Sequence, residues 1–344
     1  MDLLRQRLYT QRLSGPPLER PEDVVRLLGA VQSQDYPGAK WSLGQRVRNG
    51  TDAAVDEAFS SGRILRTHIL RPTWHFVAPD DIRWMLQLSA PRVQALNAHR
   101  YRQLELDQAL LRRSAALFAR ALESGNHLTR TELAAVLSRG RIAAAGARLA
   151  HAVMHAELEG VICSGALRGK RHTYALLEER ASLARILARD EAVAELTHRF
   201  FSGHGPATPA HCAWWSGLRA ADVRAGIAMN RERLASLEMN GRTYWSGNTS
   251  SAAGRHGQTS AHFLPEFDEA TLRYKDLGWE DEYVPTVILG GKRVGTWRRT
   301  IAVDQVVLKT SLPAVPSPAQ RRALEVAAQR YGAFLGKSIT LTNG

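Results

Sequence analysis

The segment Gly165-Ala166-Leu167-Arg168-Gly169-Lys170-Arg171-His172 constrains this chain more than any other, because it lies between two short β-prone runs, Val161-Ile162-Cys163 and Thr173-Tyr174-Ala175. Glycines and bases in that frame predict the tip of a β-hairpin. A two-stranded hairpin is marginal in water by itself and must lie on neighbouring elements. Its neighbours are three helical stretches at 110–122, 129–137 and 148–159, the second opening on a Thr-x-x-Glu capping box formed by Thr129 and Glu132. Three helices followed by a hairpin read as a winged helix-turn-helix.

A related order recurs on either side. Leu3, Leu4, Leu8 and Leu13 stand at helical spacing, Pro21-Glu22-Asp23 is a helix start, and helical stretches at 39–47 and 52–59 precede a β-like run over 63–77. Downstream, a helix over 181–201 is broken by Ser202-Gly203-His204-Gly205-Pro206-Ala207-Thr208. Helices at 209–217 and 222–227 and a strand at Arg242-Thr243-Tyr244-Trp245 follow. From 263 onward the texture changes to β-prone runs at 284–289, 293–297 and 301–308, with Gly290-Gly291 as a hairpin turn and a final helix over 319–332. The expected architecture is α+β, with winged-helix units over 1–88, 89–180 and 181–262. A β-rich, barrel-like element with a terminal helix is expected over 263–344.

The 344 residues include 46 Lys and Arg against 33 Asp and Glu, a net charge of +13. A sequence pI near 10.3 points to an anionic partner, and nucleic acid is the commonest. The surplus is uneven: residues 236–282 hold eight acids and four bases, whereas 92–148 hold ten bases and four acids. Screening confines each charge to about 8 Å, so the basic stretches mark the expected contact surface better than the sum does. Two cysteines, Cys163 and Cys212, without zinc or redox spacing fit a reducing compartment. No apolar run approaches the roughly 20 residues that span a bilayer, and the amino terminus carries no signal-peptide pattern. A soluble, monomeric, cytoplasmic and nucleoid-associated protein is expected.

A polar cluster, Gln32-Ser33-Gln34-Asp35-Tyr36-Pro37, follows the second helix. Two amides, a carboxylate and a phenol before a turn-setting proline could hold a water or a base edge, but on spacing alone they read first as a solvated helix end. Further segments follow in order: Leu70-Arg71-Pro72-Thr73-Trp74-His75; Gly205-Pro206-Ala207-Thr208 with Trp214-Trp215-Ser216-Gly217; Leu264-Pro265-Glu266-Phe267-Asp268; and Gly295-Thr296-Trp297-Arg298-Arg299. Together they resemble the AlkZ-type winged-helix DNA glycosylases, which remove alkylated purines and unhook interstrand crosslinks. The resemblance runs from about residue 3 to about residue 335. It implies three tandem winged-helix units in a concave basic scaffold, a cleft completed by the C-terminal β-rich element, and double-stranded DNA as partner. It also implies a Gln-x-Gln catalytic pair, here Gln32 and Gln34, with Ser33 in place of the aliphatic residue usual between them.

An amide pair limits the chemistry. A purine alkylated at N7 or N3 is cationic and leaves as a neutral base, so no general acid has to protonate it. What remains is to stabilise an oxocarbenium-like sugar and to orient water at C1′, tasks for dipoles and positioning. Glutamine is no strong base, and the expected substrates are therefore cationic alkylpurines. Asp35 is a further candidate, either adding a full negative charge or capping the turn at Tyr36-Pro37, with the cap favoured. DNA contacts are expected from Arg168, Lys170 and Arg171 at the hairpin tip and from Lys292, Arg293, Arg298 and Arg299 in the C-terminal β element, since guanidinium forks suit phosphate. Lys40 is the one lysine near the pair in sequence, and no Schiff-base lyase is expected.

Other constellations are weaker. His151 and His155 at i, i+4 lack a third ligand, His204, His211 and Cys212 have no ordered spacing, and no phosphate-binding glycine loop occurs, so no metal and no organic cofactor is expected. Glu266, Asp268 and Glu269 imitate a glycosidase carboxylate pair but lie in the acidic stretch, and are read as turned from DNA or bonded to Arg298 or Arg299. The expected activity is that of a monofunctional DNA glycosylase in base excision repair or genotoxin self-resistance. The competing reading is a non-catalytic winged-helix transcriptional regulator, which would select a DNA sequence by several kcal/mol.

Overall fold

The computed structural model describes residues 2–248, 260–271 and 283–343. The chain divides into two compact units, each assembled from separated stretches. Met1–Val55, Thr197–Cys212 and Ile227–Gly344 form one, and Asp56–Leu196 with Ala213–Gly226 form the other. Among the described residues no helix is long and apolar enough to cross a membrane.

The first unit is built on a five-stranded sheet in the order Ser338–Asn343, Gln305–Ser311, Lys292–Ile301, Thr286–Leu289, Ala261–Leu264. Its neighbours are antiparallel except the first pair, which is parallel and joined through the helix Pro318–Leu335; parallel strands need such a crossover. Gly290 and Gly291, both at positive φ, turn Leu289 back on Lys292 as expected. Two expectations change. The described strands leave two edges, so they form an open sheet and not a barrel, with the crossover helix completing the core in place of closure. The run expected over 301–308 is two strands, divided by a turn in which the Ala302 N–H bonds to the Gln305 carbonyl at 2.8 Å.

Aromatic side chains fill the space between this sheet and its helices. The rings of Trp41 and Trp297 stand 4.8 and 5.6 Å from that of Tyr331, both edge to face. Each buried indole N–H finds a main-chain acceptor, as buried donors must: Trp41 donates to the Phe263 carbonyl (2.6 Å) and Trp297 to that of Leu264 (2.8 Å). These two bonds fix the strand end from which residues 265–271 continue.

The second unit holds the hairpin. Ile162–Ser164 and Thr173–Leu176 pair antiparallel, and Leu128–Thr129 adds a strand on the far side of Thr173–Leu176. The helices Gln108–Leu122, Arg130–Arg139 and Gly146–Leu158 precede it and enclose Phe118, Leu122, Leu133, Leu137 and Val153. Both arms of the capping box are made: the Glu132 N–H donates to Thr129 Oγ1 at 3.3 Å, and the Thr129 N–H to Glu132 Oε2 at 2.7 Å. A 22-residue helix, Ile82–Gln103, runs through Pro91. Residues 181–188, expected as helix, are irregular; the Arg185 N–H bonds to the Asp80 carbonyl at 2.9 Å, and the helix begins at Arg189.

Candidate active site

A helix, a glycine and a short strand deliver the Gln-x-Gln segment, all within the first unit. Pro21 opens the helix Pro21–Leu28. Gly29 follows at φ +78, a backbone conformation that a Cβ would strain, and the strand Ala30–Gln32 ends on the first glutamine. Ser33 is fully buried, its small side chain taking the middle position, while Gln34 is exposed. The two amides therefore meet different surroundings. Gln32 is 7% exposed, and its main-chain N–H donates to Glu269 Oε1 at 2.8 Å.

Asp35 occupies the N-cap of Tyr36–Gly44, yet its carboxylate accepts no hydrogen bond from that helix, which corrects the capping role favoured from sequence. It lies over Gly38, where a Cβ would stand 2.3 Å from Asp35 Oδ2 and 3.2 Å from the Pro265 Cβ. Only glycine leaves that space. Arg299 Nη2 is 3.9 Å from Asp35 Oδ2, and Arg299 Nη1 donates to the Tyr331 hydroxyl at 2.9 Å. Burial and the neighbouring charge of Asp35 raise the Glu266 carboxyl above its usual range. Lys40 Nζ is 2.7 Å from Asp52 and 5.5 Å from the centre of the Tyr36 ring.

The carboxylates discounted from sequence prove central to this unit. Asp268 is fully buried and receives both arms of the Arg46 fork, at 2.8 and 3.0 Å, with Ser42 Oγ at 2.7 Å and the Ala270 N–H at 2.9 Å. Burial pushes its carboxyl up, but the Arg46 charge and these donors outweigh burial and hold it below the ordinary range. Its arginine is Arg46, not Arg298 or Arg299. Glu269 is also fully buried; besides Gln32, its Oε2 stands 3.9 Å from His204 Nδ1, and its main-chain carbonyl accepts from Gln11 Nε2 at 3.2 Å. The acids at 266–269 were visible in the sequence, but no local signal linked Glu269 to Gln32, because that bond joins residues 237 apart.

The expected DNA-contact residues fall into distinct settings. In the second unit Arg168, Lys170 and Arg171 are exposed at the hairpin tip, where Gly169 takes φ +63. Arg168 also bonds to Glu132 Oε1 at 2.7 Å. In the first unit Lys292 and Arg298 are exposed and Arg293 is half-buried. Arg299 shares the inward face of its strand with Trp297, two residues away, a placement that strand alternation would have signalled.

Of the remaining segments, Leu70–His75 and Trp214–Gly217 lie together in the second unit. The Arg71 guanidinium lies 4.6 Å over the Trp214 ring and donates to the Trp215 carbonyl. Burial, then the Arg71 charge, push the His75 imidazole well below its usual range. It is held neutral, donating from Nδ1 to the Thr73 carbonyl (2.9 Å) and accepting from Arg71 at Nε2 (3.1 Å). His151 Nδ1 bonds to the Ala147 carbonyl, His155 is buried beside Tyr101, and His211 Nδ1 accepts from the Thr208 N–H. Among the described residues no His, Cys, Asp or Glu cluster is suited to a metal ion.

The family model of AlkZ-like DNA glycosylases matches residues 25–334. The chain is similar in structure to the Streptomyces sahachiroi DNA glycosylase AlkZ, with a TM-score of 0.75, 19% sequence identity and 98% of each chain covered. At that identity the likeness speaks for the fold. No curated protein matches the sequence.

Proposed function

The chain belongs to the AlkZ-like DNA glycosylase family, and from that premise we propose that it hydrolyses the N-glycosidic bond of cationic N7- and N3-alkylpurines in double-stranded DNA. Gln32 and Gln34 are the proposed catalytic pair. The observation that carries this reading is the charge around them: Glu269 lies on the Gln32 main chain, Asp35 adjoins Gln34, and Glu266 stands within the field of Asp35. Amide dipoles and carboxylates favour a cationic sugar and repel nothing positive that approaches. A purine that is already cationic leaves without being protonated. In the step, the C1′–N bond breaks and its electron pair cancels the charge on the ring. The water oxygen bonds to C1′, and its proton passes to solvent.

Lys40 is bound to Asp52, which supports hydrolysis by water over attack by an amine, and hence a monofunctional enzyme. The exposure of Gln34 supports a site open to bulky adducts, so the proposal extends to unhooking interstrand crosslinks, in base excision repair or in self-resistance to a DNA-alkylating product. Arg168, Lys170, Arg171, Lys292, Arg293 and Arg298 are the proposed phosphate contacts, carried on winged-helix units over 1–88, 89–180 and 181–262 and on the element over 263–344. Release of N7-methylguanine from a methylated duplex under single turnover is expected to fall by about 100-fold or more in Gln32→Ala and in Gln34→Ala. Unchanged release in both variants would overturn the assignment.

A further inference from the structure

We propose that Glu269 is a positioning residue for glycosidic-bond cleavage, acting through Gln32; the proposal rests on the catalytic role given to Gln32 above. The segment from Leu28 to Gln32 is held at both ends by two side chains that meet each other. His204 Nε2 donates to the Leu28 carbonyl at 2.9 Å, and Glu269 Oε1 accepts from the Gln32 N–H at 2.8 Å. His204 Nδ1 and Glu269 Oε2 lie 3.9 Å apart, both residues fully buried, and the His204 ring is stacked on Phe200 at 4.9 Å. Between the two anchors the chain turns at Gly29, at a φ of +78 that a Cβ would strain, into the strand Ala30–Gln32.

Glu269 is itself held. Gln11 Nε2 bonds to its main-chain carbonyl, and Gln11 also accepts from Arg46, whose fork grips the adjacent Asp268. The carboxylate that meets Gln32 thus stands next to a buried network of Gln11, Arg46 and Asp268. Its geometric effect is specific: it fixes the main chain of the residue whose amide is to face C1′. A displacement of about 1 Å at a reacting group is worth up to about 100-fold in rate.

The test compares Glu269→Asp, which keeps the charge and retracts the acceptor, with Glu269→Gln, which keeps the acceptor in place and removes the charge. The readouts are the single-turnover rate of N7-methylguanine release and the Kd for a duplex carrying a non-hydrolysable abasic-site analogue. Glu269→Asp is expected to slow release by about 30- to 100-fold, and Glu269→Gln by less than about tenfold, with Kd within about threefold of wild type for both. In a Gln32→Ala background Glu269→Asp is expected to change the residual rate by less than about threefold. A Glu269→Asp rate near wild type, a Glu269→Gln rate below that of Glu269→Asp, or an equal loss in both backgrounds would each overturn the positioning role while leaving Gln32 catalytic. A Gln32→Ala variant as fast as wild type would instead overturn the reading of Gln32, and the proposal with it.

Discussion

Asp268 and Arg46 are each fully buried, and each satisfies the other. A bidentate charged pair with its remaining donors and acceptors filled is tolerated in an interior, but removal of one partner strands the other in a dry site. Asp268→Asn is therefore expected to destabilise the protein by about 3 to 5 kcal/mol in urea unfolding; a loss below about 1 kcal/mol would contradict this pairing. His262, on the strand Ala261–Leu264 that leads into Asp268, gives a pH signature. Burial, then the charges of Arg330 and Arg46, push its imidazole down to about 4 from an ordinary 6.5. With the folded value depressed, the unfolded chain takes up the proton first. Its influence is absent above about pH 6.5, and stability is lost as pH falls from there to about 4, by about 3 kcal/mol in all. His262→Phe is expected to lose about that much less stability than wild type between pH 7 and pH 4, measured by urea unfolding at both. Equal losses would refute it. Little of this was legible: the acids at 266, 268 and 269 were visible as a cluster, but which base each meets depends on packing across 222 residues for Asp268 and Arg46.

Among the elements, those governed by local chemistry were the most legible. The Thr129–Glu132 capping box, the Gly290-Gly291 turn and the hairpin around Gly169 each follow from side-chain-to-backbone bonding or from the freedom of glycine, and each appears where the sequence put it. Thr129→Ala is expected to cost about 1 kcal/mol of stability through loss of the helix cap, checked by thermal unfolding; Thr129→Ser, which keeps the hydroxyl, should recover most of it. Two elements escaped sequence reasoning for identifiable reasons. Pro91 interrupts the donor pattern of Ile82–Gln103, a reason to stop a helix that its buried face (Trp84, Met85, Leu88, Val93) overrides. Leu183 and Ile186 give residues 181–188 helical spacing, yet both side chains are exposed, so no packing rewards the helix there.

For the whole molecule, the surplus of positive charge predicts how binding answers to salt. Removing the side chain that neutralises one phosphate lowers the slope of log K against log salt by about 0.9. Replacing Lys170, Arg171, Lys292 or Arg298 by Ala is expected to lower it by about that amount each, measured by titrating unmodified duplex between about 50 and 200 mM salt. Arg299→Ala is expected to leave the slope within about 0.3 and to lower the excision rate, because that guanidinium faces Asp35 and Tyr331. A full decrement of slope in Arg299→Ala would add that arginine to the proposed interface, and no decrement in the other four would remove them from it. Length, charge, caps, turns and the order of motifs were determined by the sequence, since each depends on neighbours within a few positions or on composition alone. The sequence also carried the family, because its motifs keep their order. The tertiary structure decided which carboxylate holds Gln32, which arginine turns inward and that the described C-terminal strands form an open sheet. Those outcomes turn on burial: a charge taken out of water must find its partner wherever the fold brings one, however distant along the chain.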